Sequence, residues 1–480
     1  MLENRRVGRA DPVAVQRYEA GEHAQFGAVA GTQEMVFQAS RKHQSFRQFN
    51  GKAPKPPPAD ELYMTYGEVT ALADFYEGFD DFHQAVTSQA TFDELVNLVQ
   101  LVRRDVVAFT SFAASVRAKA VSNDEWQKAT GSRPASKQFV ELASKNESHF
   151  APSVTGKGES NVGTWRIYHF RALDLAAQGK LDEALIMNAF GDHFLEDAFS
   201  AGHLKSEGDV AARAKANLEA GGDSFTQDEI LKAIRIKVFA YKVADGILAD
   251  PTAGATLSQY LIKGAPSTWK HPLTPTWLPI TADSLSDVIT LAGETTKRDE
   301  FLHVFAKAVH DQLNKDISAR RYGGVEVTNA RGDVWKLPGD ATLINSPKTL
   351  ELGRLAVAQS RQNILDVARM QKTLNLMSLK GPAPPVDAAE KEVLAKQVWQ
   401  YVPHPTKAGE LVAQGAIERL TDPSRLEAVT AFVQISVANL PALVDQLTKL
   451  NFLKPKPSAV PQAASGAKVG AGAGAGSGRP

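Results

Sequence analysis

Three side chains of the kind that bind metal ions stand close together in the middle of the chain: His193, Asp197 and His203. The run before them, from Leu181, repeats apolar residues at helical spacing, which predicts that His193 and Asp197 share one face of a helix. Side chains four residues apart on a helix lie about 5–6 Å from each other, close enough to bind one cation or two neighbouring ones. The spacing therefore predicts the centre of a metal site.

The segment Ser200–Gly202 is predicted to end or bend this helix, because glycine is favoured where a chain leaves helical geometry. Such a bend could bring His203 back toward the same ion. The alternative is a His and an Asp on a helix surface, followed by an unrelated His after the turn. Phe190, Phe194 and Phe199 argue against that alternative, since they indicate a largely buried helix, in which ionisable groups need partners.

Composition excludes several classes of function. The chain has 480 residues, 43% hydrophobic and 22% charged, which is typical of a globular protein with a large core or two to three domains. Its formal net charge is zero, so there is no broad electrostatic surface for nucleic acid or for an anionic membrane. Cysteine is absent, which excludes disulfides, thiolate ligands and cysteine nucleophiles. The metal ligands on offer are therefore His, Asp and Glu.

The first residues, Met1–Arg6, lack the apolar core of a signal peptide. No stretch approaches the ~18 uninterrupted apolar residues of a spanning helix, so no transmembrane segment is predicted. We therefore expect a chain made without a signal peptide and cytoplasmic at first, whose export would need a signal-independent secretion system.

Helical patterns dominate the rest of the chain, and four stretches stand out from them. Alternation within Gly323–Trp335 predicts a small β-hairpin. The basic, proline-rich stretch 38–60 is predicted to be an exposed connection, and 251–298 a loop with short helices. The Gly- and Ala-rich tail, 454–480, buries too little apolar surface to offset chain entropy and is predicted to be disordered.

Other residues leave alternatives open. His23 follows a turn-like glycine and is either a surface histidine in a loop or part of a site. Asp74 lies among apolar neighbours of a helix, at its edge or in a functional role. The tripeptide Arg331–Asp333 matches an adhesion motif, but Gly-Asp in a turn favours a structural role. The helix from Leu426 carries an apolar stripe that could contact a lipid surface, although core packing is the favoured use.

The pattern His193-x3-Asp197-x5-His203, preceded by a helical hairpin that turns at Gly179, resembles the zinc-dependent phospholipase C family and the single-strand nucleases that share its fold. The sequence from His193 to His203 is most similar to a bacterial and fungal branch that includes the heterokaryon-incompatibility C proteins. The resemblance is specific over 145–205, weaker over 15–80 and 300–345, and absent over 355–480.

This resemblance implies a mainly α fold, a multi-helix bundle of zinc-dependent phospholipase C type with a small β-hairpin. The implied division is a metal-binding domain over 1–350, a C-terminal helical extension over 351–453 and the disordered tail over 454–480. Family members bind one to three zinc ions through ligands in a set order along the chain. Matched to that order, the implied metal ligands here are His23, Asp74, His149, His193, Asp197, His203, His310 and Asn314.

Two departures from the family pattern weaken the implied site. Asn314 stands where the family has a Glu, and the amide lacks the negative charge that helps to hold a dication, unless the neighbouring Asp311 supplies it. The family's N-terminal Trp ligand has no counterpart. One zinc position is therefore expected to be weak or empty.

The resemblance implies a metal-dependent phosphoester hydrolase that acts on phospholipid at a transiently contacted membrane surface. Asp74 would be the catalytic residue, which orients the attacking water or takes its proton. Activity should fall below about pH 6, because histidines must be neutral to bind metal. One alternative is a toxin-like or interaction protein with a degenerate or structural metal site. A second is a single-strand nuclease or nucleotidase, although nucleic acid is not expected as a partner.

Overall fold

The computed structural model describes most of the chain. The predicted disordered tail lies outside it except at 454–456. The described residues are 20–27, 35–51, 53–110, 121–139, 142, 147–156, 158–219, 225–263, 277–294, 298–315, 324–339, 346–376, 385–438, 440–449 and 451–456.

The fold is mainly helical with small sheets, as predicted at the level of fold class. No helix in the described part of the chain is long and apolar enough to cross a bilayer. The α-helices are α1 (Ala20–Gly27), α2 (Tyr66–Leu72), α3 (Phe79–His83), α4 (Gln89–Thr110), α5 (Asn123–Ala129), α6 (Asn161–Ala177), α7 (Leu181–Asp197), α8 (Glu207–Glu219), α9 (Phe225–Ala249), α10 (Pro251–Leu257), α11 (Ala282–Glu294), α12 (Arg298–Lys315), α13 (Pro347–Leu376), α14 (Ala388–Trp399), α15 (Lys407–Leu420), α16 (Leu426–Ala438) and α17 (Leu440–Lys449).

The prediction of an exposed connection over 38–60 was wrong, because two strands of a sheet lie largely within it. This antiparallel sheet has the order β2-β1-β3 and is formed by β1 (Val36–Ser40), β2 (Ser45–Phe49) and β3 (Glu61–Thr65). The apolar residues decide the outcome: Phe37 and Ala39 are fully buried, and the Phe46 ring stacks on Phe82 at a centroid distance of 5.0 Å. The prolines follow β2 and occupy the connection to β3.

Two more three-stranded antiparallel sheets, among the described residues, join strands that are far apart in the sequence. The predicted β-hairpin is confirmed as β6 (Val325–Thr328) and β7 (Val334–Leu337), which β8 (His404–Pro405) extends. The other sheet has the order β5-β4-β9 and joins the stretch predicted as a loop to the C-terminal end of the described chain. Its strands are β4 (Tyr260–Lys263), β5 (Trp277–Pro279) and β9 (Leu453–Pro455).

The hairpin turn contains the adhesion-like tripeptide, and its side chains are held within the protein. Gly332 has a φ of +84°, a conformation that glycine adopts without strain. Asp333 accepts a hydrogen bond from Asn329 and pairs with Lys348 at 3.1 Å, while the Arg331 guanidinium lies over the Tyr401 ring. These contacts favour the structural role of the tripeptide.

In the described part of the chain, two hydrophobic clusters organise the helices. The larger cluster packs α1, α2, α4, α6, α7 and α13 with the first sheet, and the smaller one packs α9, α11 and α16 with β4. Phe239, Phe305 and Phe432 meet in the smaller cluster at centroid distances of 4.6 to 5.7 Å, so the helix from Leu426 is used for core packing. Helix α12 belongs to both clusters, since Phe305 lies in the smaller one and Val309 in the larger one.

Helices α1 and α2 approach each other closely because glycines lie at their crossing. A Cβ added to Gly67 would lie 2.4 Å from the Ala24 carbonyl oxygen, and one added to Gly27 would lie 2.3 Å from the Gly67 Cα. Real Cβ atoms do not come that close to backbone atoms, so only glycine permits this contact. The crossing fixes the position of α1 and of His23 on it.

Replacing Gly67 by alanine should therefore push α1 away from α2. We expect Gly67→Ala to lower the free energy of unfolding by about 1–3 kcal/mol, as overpacking does in cores, measured by urea denaturation. Gly415→Ala is the matched control, because its Cβ would meet only the far end of the flexible Arg419 side chain, at 3.3 Å. That control should be neutral or stabilise by up to about 1 kcal/mol, the usual helix preference for Ala over Gly. Equal unfolding curves for the two variants would contradict the close-packing argument.

Candidate metal centre

The predicted helical hairpin places the central motif in the core. Helices α6 and α7 are joined by a turn in which Gly179 has a φ of +79°. They pack closely because a Cβ on Gly191 would lie 2.5 Å from the Tyr168 Cβ. Every residue of α7 from Ala184 to Asp197 is buried, so the alternative of a His and an Asp on a helix surface was wrong. The His193 side chain is 0% exposed and that of Asp197 is 1% exposed.

The predicted break after α7 is present. The chain turns at Ser200 and continues as a 3-10 helix, Ala201–Leu204, in which His203 is 3% exposed. The His203 Nδ1 lies 2.9 Å from the main-chain oxygen of His149 and 3.4 Å from Asp197 Oδ1. Because a carbonyl oxygen only accepts hydrogen bonds, Nδ1 carries the hydrogen, and Nε2 is left as the atom of His203 that could bind a metal.

His149 comes to the motif from a separate 3-10 helix, Glu147–His149. Its Nδ1 lies 2.8 Å from Asp197 Oδ2 and 3.1 Å from His193 Nε2. The His149 side chain is 11% exposed, more than those of His193 and Asp197. His149 is therefore the member of this trio that is most open to solvent.

Two residues from the N-terminal part of the chain complete the cluster. His23 lies on α1 and is fully buried, so the loop alternative for it was wrong. Its ring centroid lies 4.1 Å from that of His193, and its Nε2 lies 3.9 Å from Asp197 Oδ1. Asp74 lies in the 3-10 helix Ala73–Phe75, directly after α2, and its Oδ1 is 3.6 Å from His193 Nε2.

These residues form two overlapping groups that could hold a metal ion. One is His23, His193 and Asp197, and the other is Asp74, His149 and His193; within each group, one ligand atom per residue lies within 4.8 Å of the others. Zinc bonds of about 2.1 Å in a tetrahedral site place neighbouring ligand atoms about 3.4 Å apart. The observed separations of 3.6 Å and 3.9 Å are close to that value. The donor set therefore fits a divalent cation.

The predicted last pair lies beside this cluster in a different role. The Asn314 side-chain oxygen accepts hydrogen bonds from the Gly202 N–H at 2.8 Å and from the Ser200 hydroxyl at 3.3 Å, which holds the turn that carries His203. A Cβ on Gly202 would lie 2.6 Å from that oxygen, so the turn needs glycine for this contact. The His310 ring centroid is 5.1 Å from that of His203. His310 and Asn314 are thus brought to His203 but are not in either group.

Asp311 is engaged away from the cluster. Its carboxylate pairs with Lys307 at 3.0 Å and lies 3.1 Å from His310 Nδ1. Although burial raises its pKa, the Lys307 ammonium and the His310 ring together hold the pKa of Asp311 at about 2. The carboxylate expected to replace the family's Glu is therefore used to orient His310.

Polar residues spaced by four on α7 escaped the sequence analysis. Asn188, Asp192 and Glu196 form a stripe along a helix that is otherwise apolar, and that stripe is the signal that could have revealed them. The Glu196 Oε2 lies 2.8 Å from the His23 Nδ1. Burial, aided by the charges of Asp192 and Asp197, raises the pKa of Glu196 well above its usual range.

Asp192 is the centre of a buried hydrogen-bond network. Its carboxylate accepts hydrogen bonds from the Tyr66 hydroxyl at 2.7 Å, the Trp165 indole at 3.0 Å, the Ser360 hydroxyl at 2.7 Å and the Asn188 amide at 3.1 Å. Burial raises the pKa of Asp192 to about 7, and these hydrogen bonds limit the rise. The network ties α7 to α2, α6 and α13.

Burial also controls the protonation of His23, which lies beside Glu196 and Asp197. Burial, helped by the neighbouring His193, lowers the pKa of His23 well below its usual range, so the ring is neutral near pH 7 and its nitrogen can bind a metal. Asp197 Oδ1 lies 3.9 Å from the Nε2 of this ring, a distance that a shared cation could span.

Comparison with protein-family models, with curated proteins and with solved structures found no match for this chain.

Asp197 belongs to the group with His23 and His193, and its Oδ2 also lies beside His149 of the second group. Removing the Asp197 carboxylate should therefore abolish tight metal binding. We expect zinc-loaded wild-type protein to retain zinc after dialysis and Asp197→Ala to lose it, measured by elemental analysis. Asp182→Ala is the matched control, since Asp182 is an exposed aspartate on the same helix. Unchanged zinc content in Asp197→Ala would overturn the assignment of the metal centre.

His169 tests the buried network through the pH dependence of stability. The ring stacks on Trp165, as predicted, at a centroid distance of 4.9 Å, and burial lowers its pKa to about 4. In the unfolded chain this pKa is about 6.5. Between those values only the unfolded chain binds the proton, so His169 lowers the free energy of unfolding as pH falls through this window. Asp192, with its raised pKa, acts in the opposite direction.

Replacing His169 by glutamine should remove the titration of this ring. The difference in free energy of unfolding, His169→Gln minus wild type, should increase by about 2 kcal/mol as the pH falls from 7 to 5. Each pH unit below about 6.5 adds about 1.36 kcal/mol to this difference. Urea denaturation of both proteins with a chelator present would measure this difference. Parallel pH profiles would show that His169 is not held neutral in the folded state.

Proposed function

We propose that this protein is a metal-dependent phosphoester hydrolase of phospholipase C type, which acts on phospholipid through a metal-activated water. The observation that carries the proposal is that the two oxygens of Asp197 face different histidines. Oδ1 lies 3.9 Å from His23 Nε2, while Oδ2 lies 3.6 Å from His193 Nε2 and 2.8 Å from His149 Nδ1. A carboxylate in that position is suited to bridge two cations, as in the two-metal sites of phosphoesterases.

The residues present suit a dication such as zinc. Imidazole nitrogens and carboxylate oxygens are ligands that zinc accepts, and the other ions that favour this donor set are distinguished by geometry rather than by ligand type. A bound dication supplies a water of lowered pKa and neutralises charge on the phosphoryl oxygens. One imidazole nitrogen binds one ion, so His193, which belongs to both groups, would bind only one of two ions.

The chain's own residues have distinct roles in this proposal. The cation would be held by His23, His149, His193 and Asp197. Because His23 and His193 are fully buried, the fold excludes water from the side of the site on which they lie. Asp74, a member of the second group, is 6% exposed, and its Oδ1 lies 3.6 Å from His193 Nε2. We assign it the role of orienting the attacking water or accepting its proton.

The depth of the site favours one alternative, an interaction protein of the heterokaryon-incompatibility C type with a structural metal. Structural zinc sites are closed by protein ligands, whereas catalytic sites keep one position for water. His23, His193 and Asp197 are all buried to 1% exposure or less, as a structural site would require. In a catalytic site, the coordination position open to water would lie near the His149 side chain, which is 11% exposed.

An assay on two substrates separates these functions. Zinc-loaded protein should hydrolyse phosphatidylcholine vesicles, and Asp74→Asn should lower the rate by at least about 100-fold, the usual contribution of a general base. Asp80→Asn is the matched control, because the Asp80 side chain is 82% exposed and lies six positions further along the chain. Cleavage of single-stranded DNA in place of lipid would identify a nuclease. Tightly bound zinc without hydrolysis of either substrate would favour the structural alternative and contradict the proposal.

A further inference from the structure

Glu196 is a buried acid beside the candidate metal centre that belongs to neither group of ligands. Its Oε2 lies 2.8 Å from the His23 Nδ1, and both side chains are 0% exposed. On the other side of the same ring, the His23 Nε2 lies 3.9 Å from Asp197 Oδ1. His23 therefore stands between two carboxylates, one at hydrogen-bond distance and one at a distance that suits a shared cation.

We propose that Glu196 is a positioning residue, which accepts the Nδ1–H of His23 and so presents Nε2 as the metal-binding atom. This inference rests on the proposed metal centre and deepens it. A neutral imidazole carries one hydrogen, on either Nδ1 or Nε2, and the hydrogen bond made by one nitrogen decides which atom is free to bind a metal. In its ionised form Glu196 can only accept a hydrogen bond, and it then selects the tautomer with the hydrogen on Nδ1.

The same arrangement recurs at two other histidines near the site. His203 Nδ1 lies 2.9 Å from the main-chain oxygen of His149, and His310 Nδ1 lies 3.1 Å from Asp311 Oδ1. In each case an oxygen acceptor holds Nδ1, and at His310 the Nε2 lies 3.3 Å from the Asn314 side-chain nitrogen, which can donate to it. His23 and Glu196 follow this pattern with the shortest of the three distances, 2.8 Å.

The burial of Glu196 supports a role beyond packing. The Oε1 atom accepts no hydrogen bond from any residue of the described chain, so the carboxylate has one hydrogen bond, to His23. Burying a carboxylate with so little compensation is costly in a helical core. A cation bound by His23 Nε2 would polarise the ring and strengthen the Nδ1–H···Oε2 hydrogen bond, which offsets part of this cost.

Zinc affinity gives the first test. Competition with a chelating dye should show zinc binding 10- to 100-fold weaker in Glu196→Ala, which is about the usual cost of losing such an orienting partner. Glu196→Gln should lose less, because its amide oxygen can still accept the Nδ1–H but lacks the charge. Glu183→Gln, an exposed position on the same helix, is the matched control and should bind zinc as wild type does. Unaltered zinc affinity in Glu196→Ala would overturn the positioning role.

The tautomer itself gives a second readout, which a merely structural role would not move. Long-range proton–nitrogen NMR spectra of the zinc-loaded protein should show His23 with its hydrogen on Nδ1, a signal that His23→Gln removes and identifies. Glu196→Ala should lose that signal or shift it. A wild-type His23 with its hydrogen on Nε2 would instead show that Glu196 donates a proton to the ring, and would overturn the inference.

These outcomes separate the positioning role from the hydrolase. Zinc binding that depends on Glu196, without hydrolysis of lipid, would leave the positioning role intact and refute the enzymatic activity. Lipid hydrolysis by the wild-type protein, together with unaltered zinc affinity in Glu196→Ala, would support the enzymatic activity and refute the positioning role. A wild-type protein that binds no zinc would overturn both. Thermal unfolding of each variant with a chelator present shows whether a loss of affinity comes from a loss of fold, and the isosteric Glu196→Gln guards against that case.

Discussion

The carboxylate of Asp197, 1% exposed, is the constraint on which the rest of the site depends. A buried negative charge is stable only when donors or positive charge surround it. Nitrogen atoms of His23, His149, His193 and His203 all lie within 3.9 Å of its two oxygens. The rings can offer it hydrogen bonds, and a cation that those rings also bound would neutralise the charge directly. The surroundings of Asp197 are therefore those in which a metal ion could be held.

The two carboxylates at 192 and 197 show how one helix manages buried charge in two ways. Asp192 is surrounded by hydroxyl, indole and amide donors from Tyr66, Trp165, Ser360 and Asn188, which satisfy it within the protein. Asp197 instead has histidine rings around it, and with His23 and His193 it could hold a metal ion. The first arrangement fixes α7 among its neighbours, and the second makes its C-terminal end suitable for chemistry.

The sequence predicted the parts of the site that depend on local spacing. His193 and Asp197 share a helix face and His203 follows a bend at Ser200, because helical periodicity and glycine placement act over a few residues. The use of Asn314 was not predictable in this way. Its oxygen caps a turn that lies more than a hundred positions earlier, and only the packing of α12 on that turn brings the two together.

Sheet formation by β1 and β2 was missed for a related reason. The charged and proline residues of 38–60 outweigh Phe37, Ala39 and Phe46 in composition, yet these three decide the structure because they are the ones that become buried. The helix of His23 was also missed, since α1 is only eight residues long and depends on contact with Gly67. Short isolated helices are marginal without such packing.

The C-terminal helices, over which the family resemblance is absent, contribute to the centre through contacts rather than through ligands. Ser360 on α13 donates to Asp192, one residue before His193, and the α13 side chains share the larger hydrophobic cluster with α7. The predicted boundary at 350 and 351 falls inside α13, so this helix carries residues from both sides of it. Since α7 bears His193 and Asp197 of the centre and the acceptor Glu196, whatever fixes the rotation of α7 also fixes the distances among them. Ser360 therefore holds Asp192, and through it the face of α7 that His193 and Asp197 share.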